Sequence, residues 1–213
     1  MDFLPDFALL AQFTVAAIVL AITPGPDMTL FVGRTLSEGR AAGFACMLGA
    51  MTGLLVHTTL VALGLSALIV ASPRAFLLLK LAGALYLAWL AFQAIRSGSA
   101  FSPEIARRPP RPLYRNWMMG VGIDLLNPKV VLFFVTFLPQ FISAGDAHAP
   151  QKLFFLGLYL VAVSILITAP MILAASRFTE LMRGSPRVTR VIDWVFAGVF
   201  SAFAVRILTA EVK

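Results

Sequence analysis

The chain has 213 residues, of which 60% are hydrophobic and only 13% charged, and its mean hydropathy is +0.90. The formal net charge is +7, yet the apolar residues come in blocks rather than amphipathic stripes, and the basic residues sit between blocks without interleaved aromatics. This excludes an ordinary soluble domain and a nucleic-acid binder, and it points to an all-α integral membrane protein surrounded by lipid. Cys46 is the only cysteine, so an intramolecular disulfide, a CxxC redox pair and a multi-thiolate zinc site are excluded as well. We read it as a small core residue.

Asp2 and Asp6 precede the first apolar block with no basic residue before it, unlike the positive n-region of a secretory signal. The block is therefore expected to remain as the first membrane span. A bilayer core of about 30 Å needs about 20 helical residues. Six blocks reach that length: Phe7–Val32, Gly43–Val70, Ala75–Ile95, Asn116–Ile142, Leu153–Ser176 and Val188–Leu208.

The first block is interrupted by Ile22-Thr23-Pro24-Gly25-Pro26-Asp27. Each proline lacks an N–H and disfavours helix in the residue before it, and Gly25 adds a flexible joint, so the helix must break or kink there. Hydrocarbon cannot satisfy the freed carbonyls, so this backbone needs protein or water around it. In the second block Ala45, Gly49, Gly53 and His57 share one face, with Gly49 and Gly53 forming a GxxxG that admits a close neighbouring helix. That face directs His57 toward protein, as a hydrogen-bonded structural residue or as a proton carrier. Between the third and fourth blocks, Ser97-Gly98-Ser99 and Arg108-Pro109-Pro110-Arg111-Pro112 read as a basic linker over 96–115. The fourth block carries a second break at Leu126-Asn127-Pro128-Lys129, with Asp124 just before it. In the fifth, Pro170 is read as a kink with Ser164 and Thr168 nearby. In the last span Asp193 is expected to pair locally with Arg190, while Lys80 and Arg206 snorkel from the ends of theirs.

Arg34 and Arg40, then Arg96, Arg107, Arg108, Arg111 and Arg115, then Arg177, Arg183, Arg187 and Arg190 fall in the first, third and fifth loops. The positive-inside rule places those loops in the cytoplasm and both termini outside. Two halves of three spans, 1–95 and 116–213, each open with a broken span, and the third spans share Ala82-Gly83 and Ala197-Gly198. Three is odd, so the halves cross in opposite senses. The expected architecture is six transmembrane helices in a 3+3 inverted repeat, in which secondary transporters place substrate near broken helices.

Asp27, Asp124 and Lys129 lie far from obvious water. A charge at a span's centre costs about 2.5–3.5 kcal/mol, so these three should face the bundle interior or a wet cavity. One explanation is an Asp27–Lys129 ion pair joining the halves. The other is a ligand with both signs of charge, since a carboxylate suits a half-helix N-terminus and Lys129, and an ammonium suits Asp27. An amino acid carries both groups, and proton coupling then runs through Asp27. Helix rise alone does not force Asp27 and Lys129 to one depth. Gln140 either lines the path or caps the second break.

Thr23-Pro24-Gly25-Pro26-Asp27, with Asn127-Pro128-Lys129, Leu132-Phe133-Phe134 and Phe137-Leu138-Pro139-Gln140-Phe141, resembles the lysine-exporter and homoserine/threonine-resistance family of bacterial amino-acid exporters. The resemblance covers essentially the whole chain. It implies export of amino acids or close derivatives through the inner membrane by proton antiport, from a homodimer without cofactor, and it makes the residues of the two break motifs the substrate and ion path. His57 and Asp124 do not belong to those motifs and, with Gln140 of the last one, are further candidates for the path. A divalent-metal exporter and a thiol electron carrier remain as alternatives of the same shape, although His57 and His148 are far apart in sequence and ligands are scarce. An intramembrane enzyme lacks HExxH and GxSxG. A non-transporting scaffold leaves Asp27 and Lys129 without a role beyond pairing.

Overall fold

The computed structural model describes residues 5–97, 111–143 and 146–211, and all regular structure among them is helical. The first apolar block forms α1, Phe7–Ile22, and α2, Pro26–Glu38, whose axes differ by 51°. Pro26 occupies the first turn of α2, where its missing N–H costs nothing. The second and third blocks become α3, Arg40–Ala71, and α4, Pro73–Ser97. The fourth becomes α5, Leu113–Leu126, and α6, Pro128–Leu132, which continues through a π-helical turn, Phe133–Phe137, and a 3-10 turn, Leu138–Phe141; this pair is also bent by 51°. The remaining helices are α7, Ala149–Leu173, α8, Ala175–Gly184, and α9, Pro186–Glu211.

Among the described residues, by length and composition, α3 over Arg40–Gly64 and α7 can cross a membrane, and each bent pair can add one span, making up to four. The third and sixth blocks do form helices, α4 and α9, and these pack along each other. Pro170 lies inside α7 without ending it, and the helix stops three residues later. The short helix α8 is not expected from the sequence, because the fifth block reads as apolar up to Ser176. Linker residues 98–110 and the side chains of Lys80, Arg183 and Arg206 lie outside those described.

The core joins the two halves. α3 packs against both α5 and α7, and α1 against α7. α3 and α5 meet backbone to backbone: a Cβ at Gly49 would lie 2.0 Å from the Trp117 carbonyl oxygen, and one at Gly120 equally 2.0 Å from that of Cys46. The GxxxG face is thus spent on contacts within the chain. Neither carbonyl can turn aside as a side chain would, so Gly49→Ala is expected to cost about 1–3 kcal/mol by overpacking. A Gly49→Ala protein melting at the wild-type temperature in detergent would contradict this packing.

Arg40 donates to the Leu173 carbonyl at 3.0 Å, and the Arg111 N–H donates to Glu38 Oε2 at 3.1 Å. The end of α2, the starts of α3 and α5, and the end of α7 therefore share one end of the bundle. Toward the other, Phe13, Phe133, Phe137, Phe141, Phe200 and Phe203 form one ring cluster, with linked centroids 4.7–6.1 Å apart.

Candidate functional site

Breaking α1 at Thr23 leaves its last carbonyls without helical donors, and a buried unpaired acceptor costs about 1–3 kcal/mol. Thr23 meets one locally, its N–H and hydroxyl both donating to the Val19 carbonyl, at 3.1 and 2.6 Å. The carbonyls of Leu20 and of the capping residue Thr23 are met from the opposite half of the chain. Lys129 Nζ donates to the carbonyls of Leu20 and Thr23, at 3.0 Å each. A cation at a helix C-terminus also offsets the dipole's negative end. Gly25 is extended, with φ −165° and ψ −174°, a conformation open to any residue, so flexibility is not what glycine supplies there; the Lys129 ammonium lies 3.4 Å from where its Cβ would be.

Asp27 stands in the first turn of α2, whose N-terminus has no side-chain cap, and there the dipole favours an acid. Its Oδ2 accepts from Asn127 Nδ2 at 2.5 Å. Asn127 precedes a proline, is correspondingly extended, and caps α6 by accepting the Lys129 N–H at 3.1 Å. Both ends of this one buried amide are used, so a single side chain ties the two breaks together. Asp27 and Lys129 thus come to one place, but the hydrogen bonds of each run to other groups: the acid to Asn127, the ammonium to α1. The other carboxylate oxygen, Asp27 Oδ1, is buried and has no partner.

Both side chains line one cleft. Its polar lining is Thr23, Asp27, Asp124, Lys129, Ser164 and Thr168, and the rest is apolar, including Met28 and Phe31 of α2 and Leu160 of α7. Asp124 is 2% exposed, and its Oδ2 lies 4.0 Å from His57 Nε2. His57 stacks on Phe134, ring centroids 5.4 Å apart. Gly53 lets the carboxylate lie against α3, since a Cβ there would be 2.4 Å from Oδ2. Among the described residues, no three His, Cys, Asp or Glu side chains gather as a metal site.

The family model for LysE type translocators matches residues 18–211. The chain belongs to the LysE type translocator family. A Salmonella typhimurium protein named homoserine/homoserine lactone efflux protein is 28% identical over 189 residues, covering 88% of this chain and 90% of its own length. A Vibrio cholerae membrane protein is 29% identical over 208 residues, 97% of this chain and 99% of its own, and the Bacillus subtilis membrane protein YrhP is 35% identical over 167 residues, 75% and 79% respectively. No solved structure matches. This translocator is a membrane exporter by family and not an enzyme.

Of the positions named from sequence, Thr23, Asp27, Asp124 and Lys129 line the cleft of this LysE-type chain, and Asn127 links two of them. Pro24, Gly25, Pro26 and Pro128 form the breaks. His57 sits behind Asp124. Gln140 donates to the Thr136 carbonyl at 2.8 Å, within its own turn. Ser164 and Thr168 read from sequence only as neighbours of a kink, and their four-residue spacing on α7 is the signal that puts both on the cleft. Sequence reasoning misses Glu38 altogether. Its side chain is fully buried, pairs with Arg34, accepts from Asn116 Nδ2 at 3.2 Å and holds the start of α5 through Arg111.

Proposed function

We propose that this protein is a secondary transporter that exports amino acids or close derivatives across the bacterial plasma (inner) membrane in exchange for protons. The observation that carries the reading is the bare Asp27 Oδ1 in the cleft between the two broken spans. A substrate ammonium docks on that oxygen. The substrate carboxylate faces the uncapped N-terminus of α2 and Lys129, whose ammonium has three donors and uses two on α1. Mostly apolar walls strengthen these contacts by keeping bulk water out.

The transport architecture in this reading is a 3+3 inverted repeat of six spans, 1–95 and 116–213, joined by the linker 96–115. Support comes from two equal bends of 51° and from the pairing of elements. Exchanging the halves turns the α1–α7 contact into α5–α3 and leaves α3–α7 and α4–α9 in place. α5 begins at the bundle end where α2 finishes, so α1 and α5 enter from opposite ends. The end gathering Arg34, Arg40 and Arg111 is cytoplasmic, which puts both termini outside; a C-terminal reporter active in the cytoplasm would contradict this. Two copies associate as a homodimer through lipid-facing surface.

The test is efflux. Cells overproducing the protein are loaded with labelled amino acids, beginning with homoserine because of the Salmonella relative's name, and the rate of loss is measured with and without a proton gradient. Faster, gradient-dependent loss of at least one amino acid is expected. Rates equal to those of cells lacking the protein, across the whole panel, would contradict the reading.

A further inference from the structure

On the cleft wall at Asp124, and behind it at His57, lie two polar atoms that neither the junction of the halves nor substrate docking uses. Asp124 Oδ2 and His57 Nε2 are both buried, both lack a hydrogen-bond partner, and face each other 4.0 Å apart. Each group is held in place. The imidazole lies flat against Phe134 at an interplanar angle of 28°, and the carboxylate lies on the bare backbone of Gly53.

With the carboxylate ionised and the neutral imidazole protonated on Nδ1, both atoms are acceptors: the carboxylate offers only lone pairs, and Nε2 offers its own. Two buried acceptors facing one another are an unsatisfied and costly arrangement. One added proton, on either atom, turns the pair into a donor and an acceptor. We propose that Asp124 and His57 form a proton-binding site, distinct from the Asp27 oxygen that receives substrate, and that this site carries the coupling proton. The inference rests on the antiport reading above and assigns its proton to particular atoms.

The titratable and charged side chains around Asp124 are His57 from α3, Asp27 from α2 and Lys129 from α6; α7 adds the neutral hydroxyls of Ser164 and Thr168. Asp124 lines the same cleft as Asp27. A substrate ammonium arriving at Asp27 therefore repels the positive charge of the shared proton, which leaves to water in the cleft. Return of a proton to the pair weakens the cleft's hold on the ammonium. Mutual exclusion of the two occupants is what an exchanger requires.

Infrared difference spectroscopy of the purified wild-type protein, stepped in pH, reads a protonated carboxylic acid through its C=O band and an imidazolium through its ring bands. A titrating signal of the pair is expected, lost in Asp124→Asn, shifted in midpoint in His57→Gln, and retained in Asp27→Asn. His57→Gln keeps the test open should Asp124→Asn fail to fold. A wild-type spectrum without such a signal, or a signal unmoved by His57→Gln, overturns the site. Vesicle export by the wild type separates the two readings. Gradient-driven export with no pair signal sinks the pair and leaves antiport standing, whereas a pair signal with export indifferent to the gradient sinks the coupling role together with antiport.

Discussion

Asp27→Asn is expected to abolish concentrative export while leaving the protein folded and inserted. The substitution keeps shape, and the new amide oxygen can still accept from Asn127, so the bridge between the breaks survives. What disappears is the negative charge on Asp27 Oδ1, an oxygen left bare in the cleft. A hydrogen bond to a charged group contributes about 1.5–3 kcal/mol, which corresponds to roughly a 10- to 150-fold loss of affinity for an ammonium-bearing substrate. Vesicles holding equal amounts of wild-type and variant protein, loaded with an exported amino acid, give the comparison. Normal export by the variant would remove Asp27 from the mechanism.

Lys129→Met is expected to cost stability as well as transport. The ammonium satisfies two carbonyls of α1 that no helical N–H can reach, and methionine leaves both acceptors buried and bare. The combined loss is about 3 kcal/mol, enough to lower the melting temperature in detergent visibly. Lys129→Arg keeps charge and donors and should melt close to wild type. The double exchange Asp27→Lys with Lys129→Asp separates this arrangement from a simple ion pair. A pair would tolerate the swap, but here the carboxylate introduced in place of the ammonium would face two carbonyl oxygens, and the double variant is expected to stay inactive. Full transport by the swapped protein would favour the ion pair.

How much of this can be read from sequence depends on how local its cause is. Proline marks a helix break by its own missing N–H and its effect on the preceding residue, so both interruptions are visible at Pro24-Gly25-Pro26 and Pro128. Helix axes bent by 51° appear at both. The long apolar blocks are equally plain. What joins the breaks is not local: Lys129 bonds to a carbonyl 106 positions earlier, and Asn127 to an acid 100 positions earlier. Their residue types are suggestive, but which acceptor each finds depends on how α5 and α7 settle against α3, and that is decided by glycine contacts such as Gly49 with Trp117. Backbone acceptors are also invisible to motif reading, which pairs charge with charge and so matches Lys129 to Asp27. Glu38 shows the converse problem. At the end of an apolar block it looks like a solvated charge, yet its burial rests on Asn116 and Arg111 arriving from 78 and 73 positions later.

Substrate protection of a thiol placed in the cleft tests most directly whether the meeting of the two breaks is the binding site. Ser164→Cys on α7, in a Cys46→Ala background, puts one small reactive group on the cleft lining. The expected result is labelling by a water-soluble thiol reagent, slowed by an amino acid the wild type exports, and no such slowing at the same concentration when Asp27→Asn is added. A thiol that never labels, or labels at one rate with or without that amino acid, would contradict a binding site at the junction of the breaks.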